Sequence, residues 1–115
     1  MKKEFRVKKS TEIDAIIHNK QSVGNKFFVV YYKENDKPHF RFSLSIGKKY
    51  GNAVRRNKIK RQIRAIISSL QIDHTLDLVI VIKKNAQNLS FIDIESHIKN
   101  LILKIQEMET KNETQ

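Results

Sequence analysis

The sequence predicts a single-domain α/β (α+β) fold in the order α-β-β-α-β-α, a sandwich on a mixed sheet with one βαβ crossover. Three observations carry that reading. The chain has 115 residues, the size of one compact domain. Hydrophobic residues make up 39% of it, enough for a core without metal or disulfide support. Its apolar pattern switches between helical spacing and short runs of strand length.

Residues 1–9 hold Lys2, Lys3, Arg6, Lys8 and Lys9 against Glu4 alone, a basic arm leading into the fold. Ser10 or Thr11 can cap a helix whose inner face is Ile13, Ile16 and Ile17, ending near Asn19 or Lys20. Residues 26–33, KFFVVYYK, are aromatic and β-branched and too few for a buried helix, so they read as a strand. The polar segment 33–39, which holds the sole proline, turns the chain back into residues 40–46. There Phe40, Phe42, Leu44 and Ile46 alternate with Arg41, Ser43 and Ser45, a second strand expected to form an antiparallel hairpin with the first. Gly47 and Gly51 bound a loop, and Asn52 can cap a helix over residues 53–70 with an apolar seam of Ile59, Ile63, Ile66, Ile67 and Leu70. Residues 76–83, LDLVIVIK, form the third strand, and a strand-helix-strand order sets it parallel to a strand already in the sheet. The last helix starts near Ser90 and carries Ile94, Ile98, Leu101, Ile102, Ile105 and Met108. A polar tail over 110–115 reads as disordered, which leaves a domain over 1–109.

Charge points to the partner. Lys and Arg number 23 against 12 Asp and Glu, a net charge of +11 that favours a polyanion. The absence of cysteine excludes disulfide scaffolds, thiolate nucleophiles and Cys-ligated metals. Residues 1–10 contain no continuous apolar stretch, so a cytoplasmic location without membrane association is expected. Residues 37–72 hold ten basic side chains and no acid, where ordinary solvated faces mix their signs. On the helix over 53–70, Asn57, Lys60, Arg61 and Arg64 share a sector well away from the isoleucine seam. Arg56 falls nearer the apolar side, and Arg55 and Lys58 lie on the other flank. Arginine forks, lysine point charges and asparagine amides together suit a nucleic-acid backbone.

Aromatic residues give a second signal. Phe27, Phe28, Tyr31, Tyr32, Phe40 and Phe42 all fall on the two hairpin strands, where most must be core. An aromatic on the same sheet face as Arg41, Ser43 and Ser45 could stack an unpaired base. Phe28 with Tyr32 is the favoured pair, and the face of Phe27, Val29 and Tyr31 is its alternative. Catalytic constellations are poor: His18, His39 and His97 are scattered, and His74 with Asp73 and Asp77 reads as a loop rather than a base or metal site.

Residues 44–64, LSIGKKYGNAVRRNKIKRQIR, resemble the signature of the bacterial ribonuclease P protein component. The match is long, and charge, length and element order agree with it. The resemblance implies a sandwich related to the second domain of ribosomal protein S5, with a left-handed crossover where sequence alone favours the right-handed form. It also implies that an RNA subunit, with bound Mg2+, performs the hydrolysis that removes the 5′ leader from precursor tRNA. This chain would be the protein subunit, with the ribonuclease P RNA and precursor tRNA as partners and no obligate protein partner. Carried over by position, Lys48, Lys49, Asn52, Arg56, Asn57, Lys58, Lys60, Arg61 and Arg64 would face the RNA. Lys58 replaces the family's second arginine and loses its bidentate fork. Ile13 and Ile17 stand where relatives often carry Phe, beside a leader groove that would include Phe28, Tyr32, Arg41 and Ser43. A ribosomal or general structured-RNA-binding protein is the alternative, and a nuclease acting through His74, Asp73 and Asp77 is a third reading.

Overall fold

The computed structural model describes residues 5–113. Along them run α1 (Ser10–His18), β1 (Ser22–Gly24), β2 (Phe28–Glu34), β3 (Arg41–Ile46), α2 (Ala53–Ser69), β4 (Leu76–Ile82) and α3 (Phe91–Glu113). The sheet order is β1-β2-β4-β3, with β4 antiparallel to β2 and parallel to β3. The expected crossover through α2 is therefore present.

The expected hairpin is not. β2 and β3 run in opposite directions as predicted, but β4 lies between them and they do not pair. The reason is in the LDLVIVI sequence of β4, which is apolar everywhere except Asp77. A strand with apolar residues on both faces is stabilised most at the centre of a sheet covered on both sides. A β2–β3 hairpin would have left it at an edge. The three-residue β1, too short to show a period in sequence, pairs with the outer side of β2.

Helices cover both faces of this sheet. On one, α2 contributes Ile59, Ile63, Ile66 and Ile67, and α3 contributes Ile94, Ile98, Ile102 and Ile105, to a core shared with Phe28, Val30, Phe42, Leu78 and Ile80. Each such side chain, fully buried, stabilises the fold by roughly 1.5–3 kcal/mol relative to exposure. On the other face α1 buries Ile16 against Val7 and Val79.

Element ends explain themselves locally. Asn52 caps α2 by accepting from the Arg55 backbone N–H at 3.0 Å. The Ser90 hydroxyl accepts from the Asp93 N–H at 3.2 Å and starts α3 where expected. α1 differs slightly, because Lys9 takes the cap position with no side-chain bond and both Ser10 and Thr11 fall inside or at the start of the helix. The tail expected to be disordered from 110 continues α3 to Glu113. There Thr110 Oγ1 donates to the Gln106 carbonyl at 2.9 Å and Glu109 is buried, so the last turn is tied down despite its polar composition. Of the basic arm, Lys2, Lys3 and Glu4 lie outside the described residues, whereas the Val7 N–H donates to the Phe42 carbonyl at 2.9 Å. Arg6 and Val7 thus lie along the otherwise open edge of β3.

Candidate nucleic-acid interface

The loop before α2 is built to present cations. Lys48 and Lys49 sit on a single 3-10 turn anchored by buried Tyr50, whose carbonyl accepts from Gln87 Nε2 at 3.0 Å. Burial raises the Tyr50 phenol above its ordinary pKa. Gly51 follows at φ 158°, and a Cβ there would meet the Arg55 side chain at 3.2 Å, so glycine avoids a tight contact at the turn into α2. Asn52 and Asn57 are exposed, as are Lys58 and Arg61, while Lys60 and Arg64 are half-buried beside them. Arg56 is also half-buried, and its Nε donates to the Gly51 carbonyl at 3.1 Å. That bond agrees with its expected place nearer the apolar side and makes it a brace for the loop. Among the described residues, no salt bridge involves a side chain of α2. Like charges at this density destabilise a helix unless an external anion neutralises them.

The opposite sheet face resolves the aromatic question against the favoured pair. Phe28 is 0% exposed and Tyr32 is 3% exposed, both in the core under α2 and α3, so neither can stack a base. Strand pairing supplies the reason: Tyr32, Leu78 and Phe42 form one cross-sheet row, and Tyr31, Val79 and Ser43 form the next. Side chains alternate faces along a strand, so the Arg41, Ser43 and Ser45 stripe shares its face with Tyr31. Tyr31, Val29 and Val81 remain half-buried there, and Tyr31 and Val81 pack with Ile13 and Ile17 of α1 around Val7, Ile16 and Val79. Phe27, grouped in sequence with that face, instead packs against His97 with ring centroids 4.8 Å apart.

Arg41 is not an open cation on this face. Its Nε donates to Asp77 Oδ1 at 2.9 Å and its Nη2 to Asp77 Oδ2 at 2.7 Å, with Glu12 Oε2 of α1 at 2.6 Å from the same Nη2. The Asp77 hydrogen bonds raise the guanidinium pKa against the opposing effect of burial. Arg41 is therefore the tie that holds α1 on the sheet. Ser43 lies in the same cross-sheet row as Tyr31 and Val79.

The histidine and carboxylate cluster does not assemble. His74 faces Gln106 and Thr110 of α3, Asp73 accepts from Gln71, and Asp77 is committed to Arg41 on the other sheet face. Among the described residues no grouping of His, Asp or Glu suits a metal ion, and no helix is long and apolar enough to cross a membrane. Two cations read in sequence as part of the arm, Arg6 and Lys8, lie instead beside Arg64 of α2 at the β3 edge. The signal was legible, since Arg6-Val7-Lys8 alternates with strand period.

Comparison with known proteins agrees with this geometry. A family model described as Ribonuclease P matches residues 1–106. The ribonuclease P protein component of Acholeplasma laidlawii is 39% identical over 106 residues, covering 90% of this chain and 91% of that protein. The Streptococcus gordonii ribonuclease P protein component is 43% identical, covering 89% of this chain and 87% of its own length. A solved structure of a mutant Staphylococcus aureus RNase P protein superposes with a TM-score of 0.84 at 34% identity, covering 91% of this chain and 90% of that one.

Proposed function

The chain belongs to the ribonuclease P protein family, and on that premise we propose how it acts as the protein subunit of the ribonucleoprotein. Its α2 face and the Lys48–Tyr50 turn bind the ribonuclease P RNA, and the groove between α1 and the sheet holds the single-stranded 5′ leader of precursor tRNA. The observation that carries the RNA contact is the run of α2 cations without a carboxylate partner among the described residues. Lys48, Lys49, Lys58, Lys60, Arg61 and Arg64 neutralise phosphates, Asn52 and Asn57 offer amides to sugar or base edges, and Arg56 braces the loop. The groove reading rests on half-buried Tyr31, the one strand aromatic on the face of Ser43 and Ser45. A ring in that position can stack an unpaired base while Ile13 and Ile17 supply apolar walls.

Hydrolysis belongs to the RNA subunit in this reading, with Mg2+ held there. Reconstitution tests the whole. The purified protein alone leaves precursor tRNA intact, and adding a bacterial ribonuclease P RNA at moderate magnesium gives cleavage at the mature 5′ end, faster than RNA alone. Cleavage by the protein alone, or no effect of the protein on the RNA, overturns the proposal.

A further inference from the structure

Helical spacing sorts the cations of α2 onto two flanks. Asn57, Lys60, Arg61 and Arg64 make up the face described above, whereas Arg55, Lys58 and Gln62 lie along the other flank and turn toward the start of α3. There they border a cleft of about 300 Å³ between the two helices. Its inner wall is apolar, built from Ile59 of α2 and Ile94 of α3, which are 1% and 2% exposed. Phe91, in the first turn of α3, lines the same cleft and keeps 42% of its surface open to solvent. Asn88 closes the rim with an exposed amide, carried by the 3-10 turn Lys84–Asn88. Gln87 of that turn donates to the Tyr50 carbonyl at 3.0 Å and so fixes it against the loop before α2. Among the described residues lining the cleft there is no carboxylate. The charge of Arg55 also reaches the Tyr50 phenol on the inner side, where it works against the effect of burial on that group.

We infer that the cleft between α2 and α3 receives one unpaired nucleotide of RNA, its base on the Phe91 ring and its phosphate at Arg55 and Lys58. Each wall matches one part of such a ligand. The aromatic ring and the isoleucines take the flat face of a base, and the amides of Gln62 and Asn88 each offer a donor and an acceptor to its edge. The two cations at the mouth neutralise a phosphodiester. A bare anion would leave the ring and the apolar wall unused, and an apolar ligand would leave the cations without a counter-charge. The nucleotide must be unpaired, because within a duplex the faces of a base are stacked and its pairing edge is taken. Its source is the RNA subunit or precursor tRNA. In either case the inference rests on the proposed function, because it supposes that RNA meeting the Arg61 face continues round α2 to its other flank.

Two measurements test it. The chain contains no tryptophan, so Phe91→Trp places a single indole reporter in the cleft. Stacking of a base should quench its emission, and the quenching should saturate as RNA is added. Quenching by ribonuclease P RNA alone assigns the nucleotide to the RNA subunit, and quenching that appears only when precursor tRNA joins the holoenzyme assigns it to the substrate. Emission unchanged on both arms overturns the site. The second measurement compares affinities for whichever RNA quenches the reporter. Phe91→Leu keeps apolar bulk but has no ring, and should bind roughly fivefold to 150-fold more weakly than the parent, the range for one lost base stack. Phe91→Tyr, which keeps the ring, should bind like the parent. Arg55→Gln should make the log-log salt slope shallower by about 1, as for one lost phosphate contact. Parental affinity in Phe91→Leu, or an unchanged slope in Arg55→Gln, overturns the site while leaving activation of the RNA by the parent protein, and hence the functional reading, intact. Saturable quenching of Phe91→Trp by oligoadenylate, with a parent protein that fails to activate the RNA, would support the site and reject the functional reading.

Discussion

Along α2 the cations stand without carboxylates, whereas beneath α1 Arg41 is clamped by Asp77 and Glu12. Both regions come from the same acid-free segment of sequence, residues 37–72, and carry the same residue types. The difference lies in what the fold brings to them. Asp77 arrives from β4 and Glu12 from α1, both outside that segment, and both reach Arg41 while no acid reaches α2 among the described residues. A basic stretch therefore divides into cations that need an external anion and a cation that holds the fold together. The former are candidates for binding, and the latter for stability.

The largest expected effect breaks the clamp. The Arg41 side chain is 15% exposed and that of Asp77 10% exposed, so removing the guanidinium leaves a largely buried carboxylate unpaired. Arg41→Ala should cost about 3–5 kcal/mol of stability in chemical denaturation. Replacing both partners by apolar residues, Arg41→Met with Asp77→Leu, should cost much less than the single change. If Arg41→Ala is as stable as the parent and only RNA binding falls, Arg41 belongs with the α2 cations and the division fails.

This division also marks how much was legible in sequence. The α2 seam of Ile59, Ile63, Ile66 and Ile67, its Asn52 cap and the outward face of Arg61 all follow from local periodicity, and the structure has them as read. The parallel pairing of β3 with β4 across the α2 crossover follows from element order. What sequence left hidden depends on strand neighbours. Placing β4 between β2 and β3 decides that Tyr31, not Tyr32, shares a row with Ser43. The same placement brings Asp77 alongside Arg41. Pairings between residues dozens of positions apart leave no period in a single sequence, so the face of the strand aromatics was misread while the helix was not. Thr110 was misread for a related reason, since its hydroxyl lies 3.3 Å from His74 Nε2, a partner far away in sequence.

An intermediate effect sharpens the groove. Base stacking on an aromatic is worth ~1–3 kcal/mol, so Tyr31→Ala should weaken holoenzyme affinity for leader-bearing precursor tRNA by that amount and leave leaderless substrate unaffected. Tyr31→Phe, which keeps the ring, should retain most of the affinity. Equal losses on both substrates would place Tyr31 outside the leader path and make the apolar row under α1 a purely structural surface.

The smallest effect on stability should fall on the face most exposed to RNA. Arg61 is exposed, makes no salt bridge among the described residues, and lies opposite the buried isoleucines of its helix. Arg61→Ala removes a cation from a crowded helix face, so its stability should change by no more than ~0.5 kcal/mol, in either direction. Its binding signature should nevertheless be clear: loss of one phosphate contact makes the log-log salt slope of RNA affinity shallower by about 1. Denaturation and RNA titrations over a range of salt, on the same protein preparation, read both quantities. The pair of results separates Arg61 from Arg41, for which the stability loss should dominate. A large loss of stability in Arg61→Ala would show that the cations of α2 are bound internally after all, and an unchanged slope would remove Arg61 from the RNA face.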